Sequence, residues 1–148
     1  MKILVLQGAN MNWLGKREPE KYGTTTADEL DERLRAHAQA QNVEIEIRYH
    51  NIEGEAIDTL QAAERDGVDA VVLNPGGFSY AGYALRDCMV GVTVPVVELH
   101  MTNHYARGIH SVTASAAVAV FLGLGIETYF HAFDAAVGVA RKRRNTDG

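Results

Sequence analysis

Residues 68–100 read VDAVVLNPGGFSYAGYALRDCMVGVTVPVVELH. The segment opens on a continuous apolar strand, 68–74, that breaks at Asn-Pro-Gly-Gly. A helix-like stretch follows over 79–92, then a second apolar strand over 93–100, where Pro95 is tolerated near the start. Strand, helix and strand at this spacing form a βαβ unit. Such units imply parallel strands covered on both faces.

The alternation continues on both sides. KILVLQ (2–7) is short, apolar and closed by a glycine, so it reads as a buried strand. Residues 24–42 read as a helix, capped by Thr25 or Thr26, with acids in its first turn and Leu30, Leu34 and Ala38 on one stripe. VEIEIRY (43–49) alternates, which predicts a strand with one face less buried. Residues 53–67 form a further helix, ended by Gly67. TASAAVAVFLGLG (113–125) fits helix or strand equally by periodicity, and 126–144 is a helix with Ile126, Tyr129, Phe130, Phe133 and Val137 on one face. The expected architecture is a single α/β domain over 1–148, a flavodoxin-like three-layer α/β/α sandwich. In such sheets a site forms beyond the carboxyl ends of the strands, where the strand order switches. The segments GANMN, NPGGFSY and HMTNH should therefore converge.

Composition narrows the function. The 148 residues are 47% apolar and 22% charged, an ordinary make-up for a soluble domain with one core. A net charge of −5 argues against a nucleic-acid binder, and the basic RKRRNTDG end is read as a solvated helix terminus favoured by the helix dipole. No apolar run approaches about 20 residues, so no membrane span is expected. KILVLQ is too short for a signal peptide. The single cysteine, Cys88, cannot form an internal disulfide and lies in a helix-like stretch, which predicts a packed, inert thiol and a cytoplasmic protein.

The segment from about Gln7 to Thr26 is long for a strand-to-helix connection, which is usually about 2–6 residues. It carries Lys16, Arg17, Glu18, Glu20 and Lys21 around Tyr22. A lid or binding loop is the functional reading; a Tyr and an Arg on a solvated loop is the other. The three convergent loops supply Asn10, Asn12, Asn74, Ser79, Tyr80, His100, Thr102, Asn103 and His104. They lack a carboxylate cluster for Mg²⁺ or Ca²⁺. His100 and His104 lack an obvious third zinc ligand. Neither glycine-rich phosphate motif is present, and flavin binding would rest on fold analogy alone. Acid–base chemistry fits better. Glu98 and His100 project to the same strand face, and a carboxylate beside an imidazole fixes its tautomer and favours its protonated form. A structural Glu–His pair fits the spacing as well. For Tyr22, a phenol with an ordinary pKa of about 10, a guanidinium nearby favours the phenolate, and Arg17 is the natural source.

LVLQGANMNWLGKREPEKYGTTT, NPGGFSYAGYALRD and VPVVELHMTNHYAR together resemble the signature regions of type II 3-dehydroquinate dehydratase, in order and spacing, across nearly the whole chain. The resemblance implies a flavodoxin-like fold, with AVAVFLG (117–123) as the fifth strand of a parallel sheet, and a homododecamer built as a tetramer of trimers. It implies an anti elimination of water from a carboxylated cyclic β-hydroxy ketone through an enolate, as a step of the shikimate pathway, with no metal or cofactor. Carried over, Tyr22 is the base and Arg17 lowers its pKa. His100 is the acid, with Glu98 orienting it. Asn10 and Asn74 match positions that place His100 and a water near the enolate oxygen. The backbone amides of Met101 and Thr102 would hold the substrate carboxylate, and Asp87 matches a residue that reaches a neighbouring subunit's site.

Four positions depart from the pattern. The family's NGPN is QGAN at 7–10, and Trp13 replaces a Leu as a bulkier neighbour to the site. Tyr80 stands where the NPGAYTH segment has histidine. ARGIHS replaces a longer AREEFRxHS, so an arginine is missing, while His110 matches the family's His before Ser. In the family the lost histidine and arginine hold ring hydroxyls of the substrate. The sequence is thus read as a 3-dehydroquinate dehydratase with a rebuilt pocket. The alternatives are a paralogue running the same chemistry on another carboxylated hydroxy-ketone and a silent metabolite-binding relative or scaffold. Joint retention of Arg17, Tyr22, Asn74, Glu98 and His100 argues against the last.

Overall fold

A computed structural model describes residues 1–147. Five strands, β1 (Lys2–Ala9), β2 (Glu44–Tyr49), β3 (Ala70–Gly76), β4 (Val96–His100) and β5 (Ala119–Leu122), form one parallel sheet in the order β2-β1-β3-β4-β5. The helices are α1 (Pro19–Tyr22), α2 (Ala27–Ala40), α3 (Glu53–Arg65), α4 (Tyr83–Gly91) and α5 (Glu127–Asp147).

Strand alternation splits the core in two. Ile3 and Val5 of β1 face α2 and α5, where Leu30, Leu34, Tyr129, Phe133 and Val137 pack. Leu4 and Leu6 face α3 and α4, where Leu60, Ala63, Leu85 and Met89 pack. This is the three-layer arrangement expected from the alternation of elements. Thr26 caps α2 through its side chain, which accepts from the Glu29 N–H at 3.2 Å. The strand order reverses between β1 and β3, so their carboxyl ends open a crevice between the connections that leave them.

Three sequence expectations shift. The helix expected from 79 begins only at Tyr83. Ser79 instead closes a short 3-10 turn, Gly77–Ser79, by donating to the Gly76 carbonyl at 2.9 Å, and the Gly82 N–H then bonds Phe78 O at 2.7 Å. The ambiguous 113–125 stretch divides into a 3-10 turn, Ala114–Ala116, and the edge strand β5. The basic end is not merely solvated. Arg143 donates to Thr93 Oγ1 at 3.1 Å, and Arg144 grips Asp69 through two bonds of 2.8 and 2.9 Å.

Asp69 also accepts the Lys2 N–H at 2.7 Å, so it ties the last turns of α5 to the starts of β1 and β3. Burial opposes its ionisation, but the Lys2 N–H and the Arg144 guanidinium outweigh that and hold the carboxyl below its usual range. A depressed carboxylate stabilises the fold fully above about pH 4, and the contribution is lost as pH falls through the lowered folded value. Asp69→Ala should cost about 1–3 kcal/mol, because the Lys2 N–H loses its partner. Arg144→Ala should cost less than about 1 kcal/mol, because its side chain is half exposed. Urea unfolding at pH 7 and pH 3 checks both, with the Asp69→Ala deficit shrinking at the lower pH.

Candidate active site

The carboxyl ends of β1, β3 and β4 surround an open cleft of about 600 Å³, counting the space open to solvent. β1 and β3 approach so closely there that two positions, Gly8 and Gly76, have no room for a side chain. A Cβ on Gly8 would lie 2.1 Å from Pro75 O, and one on Gly76, whose φ is +53°, would lie 2.3 Å from Ala9 O. This approach delivers Asn10 and Asn74 to one opening. Asn10 itself sits in the left-handed region at φ 73°, with its N–H donated to Asn51 Oδ1 at 2.8 Å.

Asn74 is almost wholly buried and its side chain is oriented from two sides. Its Oδ1 accepts the Gly76 N–H at 3.0 Å, and its Nδ2 donates to Tyr129 OH at 2.7 Å. Tyr129 in turn donates to Gln7 Oε1 at 2.8 Å. Gln7 pairs with Asn74 across the β1–β3 register, so one phenol from α5 locks two neighbouring amides. Burial, outweighing the hydrogen bonds with the two amides, pushes the Tyr129 hydroxyl far up, which keeps it a neutral bridging group.

His100 ends β4, and its Nε2 meets Glu98 Oε2 at 2.8 Å. Glu98 has no solvent exposure. That bond leaves Nδ1 of His100 for a ligand. Another part of the cleft wall comes from the segment after β1. It is not an extended loop. Met11 and Leu14 bury in the core, a 3-10 turn spans Met11–Trp13, and the one-turn helix α1 carries Tyr22 to the cleft. Arg17 lies over the Tyr22 ring, with its guanidinium carbon 4.7 Å from the centroid. Glu18 accepts from Lys21 at 2.7 Å and sits 3.7 Å from Arg17.

Asn10, Arg17, Tyr22, Asn74, Tyr80, His100, Met101 and Thr102 all line this one cleft. Glu98 stands behind His100. Asp87 does not line it; it is exposed on α4. Trp13, expected as a bulky neighbour of the site, is turned away. It is 54% exposed under Lys16, because Met11 and Leu14 take the inward positions of that segment. Asn12 and Asn103 also lie outside the cleft. Ser79 lines it, though its hydroxyl serves the turn. Cys88 is half-buried, its thiol pushed up by burial and near Ile57 O, and is a poor nucleophile.

Arg107 was not foreseen. The shortened loop makes a 3-10 turn, His104–Arg107, that brings a guanidinium to the cleft, where it donates to Thr102 Oγ1 at 3.0 Å. His104 also borders the cleft, nearly buried between the His100 ring, 4.2 Å away edge to face, and the stacked Tyr105 ring at 4.7 Å. Neither of its nitrogens has a partner. Among the described residues no group of three or more His, Cys, Asp or Glu side chains is placed to hold a metal ion.

A phenol beside a cation and an imidazole backed by a carboxylate share one cleft at the carboxyl ends of a parallel sheet. Such a set suits the proton transfers of a lyase. Comparison with known proteins agrees. The family described as Dehydroquinase class II matches residues 1–137. The 3-dehydroquinate dehydratase of Polynucleobacter asymbioticus is 43% identical over 138 residues, 91% of this chain and 93% of that protein. That of Carboxydothermus hydrogenoformans is 41% identical over 151 residues, 100% of this chain and 97% of the relative. The crystal structure of the type II dehydroquinase from Butyrivibrio crossotus superposes with a TM-score of 0.88 at 35% identity, covering 92% of this chain and 97% of that one. The chain belongs to the class II dehydroquinase family.

Two measurements test the site. Tyr129→Phe removes a buried hydroxyl that both Asn74 and Gln7 use, and should cost about 1–3 kcal/mol in urea unfolding. His104 is held below the usual histidine range by burial and by the neighbouring His100. The unfolded chain then binds the extra proton first, so stability falls as pH drops through about 6.5 and levels off below the folded value. His104→Phe should flatten that part of the stability–pH curve.

Proposed function

We propose that this chain removes water from 3-dehydroquinate to give 3-dehydroshikimate, the activity in its relatives' name. The observation that carries the proposal is the placement of the Arg17–Tyr22 and Glu98–His100 pairs on one cleft. Tyr22, as phenolate, takes the proton beside the ketone. The C–H electrons become the enolate, and Arg17 supplies the positive charge that the phenolate needs. The enolate re-forms the ketone and expels the β-hydroxyl. His100 delivers a proton to that oxygen from its cleft-facing nitrogen, so water leaves. The Tyr22 proton then returns to solvent or to His100. Glu98 holds the imidazole, and Asn10 and Asn74 orient a water at the enolate oxygen. The Met101 and Thr102 backbone amides take the substrate carboxylate, and Tyr80 borders the far end of the ring. Tyr22 and its segment close over the substrate to exclude water. No cofactor or metal takes part.

The same reading extends to assembly and setting. We infer a homododecamer, a tetramer of trimers. Exposed Val118, Val120 and Leu124 around the edge strand β5 support burial against a second copy. Asp87, outside its own cleft, would serve a neighbouring copy's site. A shikimate-pathway role in the cytoplasm suits a chain with one free cysteine. Among the described residues no helix is long and apolar enough to cross a membrane. The paralogue and scaffold alternatives are not favoured, since relatives matched over nine-tenths of the chain share one name.

The test is the appearance of the conjugated enone absorbance with 3-dehydroquinate. Tyr22→Phe and His100→Ala should each lower kcat by about 10²–10⁴ while the fold persists. Undiminished turnover in either variant, or none in the wild type, overturns the assignment.

A further inference from the structure

Glu98 has two oxygens and two different partners. Oε2 meets His100 at 2.8 Å. Oε1 accepts from the hydroxyl of Thr113, a residue with no solvent exposure. A carboxylate offers acceptors alone, so Thr113 gives Glu98 its one hydroxyl proton. The 3.1 Å contact between Ser111 Oγ and Thr113 Oγ1 then has a single direction, with Ser111 donating. The proton order is therefore set along a row: Ser111 to Thr113, Thr113 to Glu98, and His100 to Glu98 from the other side. The backbone pins the same segment, since the Val112 N–H bonds Ser79 O at 2.9 Å.

We propose that Thr113 is a positioning residue for the acid: its hydroxyl fixes the Glu98 carboxylate so that His100 keeps its Nε2–H inward and its Nδ1 toward the substrate, with Ser111 steadying Thr113. The inference rests on the reading of His100 as the proton donor. Without the hydroxyl, a buried carboxylate oxygen loses its partner. The carboxylate then turns to find another or takes up a proton, and in both cases the imidazole is released from its fixed orientation.

Thr113→Val keeps the side-chain outline and removes the donor, whereas Thr113→Ser keeps the donor. Thr113→Val should lower kcat about tenfold or more with KM changed less than about twofold, and Thr113→Ser should stay within about threefold of wild type. In a Glu98→Gln background the Val substitution should add less than about twofold. Imidazole nitrogen NMR, with the His100 signals assigned by their loss in His100→Ala, should show one tautomer, protonated on Nε2, in wild type and Thr113→Ser and a mixture in Thr113→Val. Unchanged kcat and tautomer in Thr113→Val, or a loss that adds in full on Glu98→Gln, overturns the proposal. If Thr113→Val does not fold, Ser111→Ala carries the same readouts, with a drop of about two- to fivefold expected and an unchanged tautomer and kcat counting against it. Absence of wild-type turnover would sink the assigned reaction, and the NMR readout alone would then decide the role of Thr113.

Discussion

A carboxylate sealed inside a parallel sheet is the constraint around which this structure is arranged. Removing an ion from water costs several kcal/mol unless hydrogen bonds replace the lost hydration. Glu98 stands on β4 with no exposure, and its replacements come from two directions, His100 two residues on and Thr113 on the connection leading to β5. Both must arrive together. The β4–β5 register, which sets Glu98 beside Val120 and His100 beside Leu122, holds the two partners at the required spacing. The edge strand thus owes part of its placement to a charge one strand away.

A second polar thread runs on the other side of β3. Gln7 and Asn74 are neighbours across β1 and β3, and Tyr129 from α5 bridges them within an otherwise apolar layer. Buried polar groups of this kind specify arrangement more than they add stability. Tyr129 can satisfy both amides only if α5 lies in one position against the sheet. Packing of Phe133 and Val137 would tolerate small slides; the phenol does not.

The alternation of apolar runs made the layers, four strands and the convergence of three loops readable from the sequence, because strand period and βαβ handedness leave few ways to cover both faces. The Glu98–His100 pair was readable because its members are two residues apart on one strand. Thr113 and Tyr129 were not, since they reach the site through contacts 15 and 55 residues distant in sequence. The start of α4 was missed because Ser79 has its hydroxyl engaged by Gly76 and diverts the chain into a 3-10 turn. Trp13 misled for a different reason. Its neighbours Met11 and Leu14 won the interior, and nothing in composition ranks three apolar side chains on one short turn. Arg107 was hidden by the shortened loop, whose turn geometry aims the guanidinium.

Arg17 and Tyr22 are borne by the same short segment, anchored in the core by Leu14 and closed by the turn of α1. The cation and the phenol therefore ride as a single cassette. Their mutual spacing is set within it and not by the rest of the cleft. Sequence drift elsewhere around the opening can therefore reshape the cleft while leaving the guanidinium over the ring.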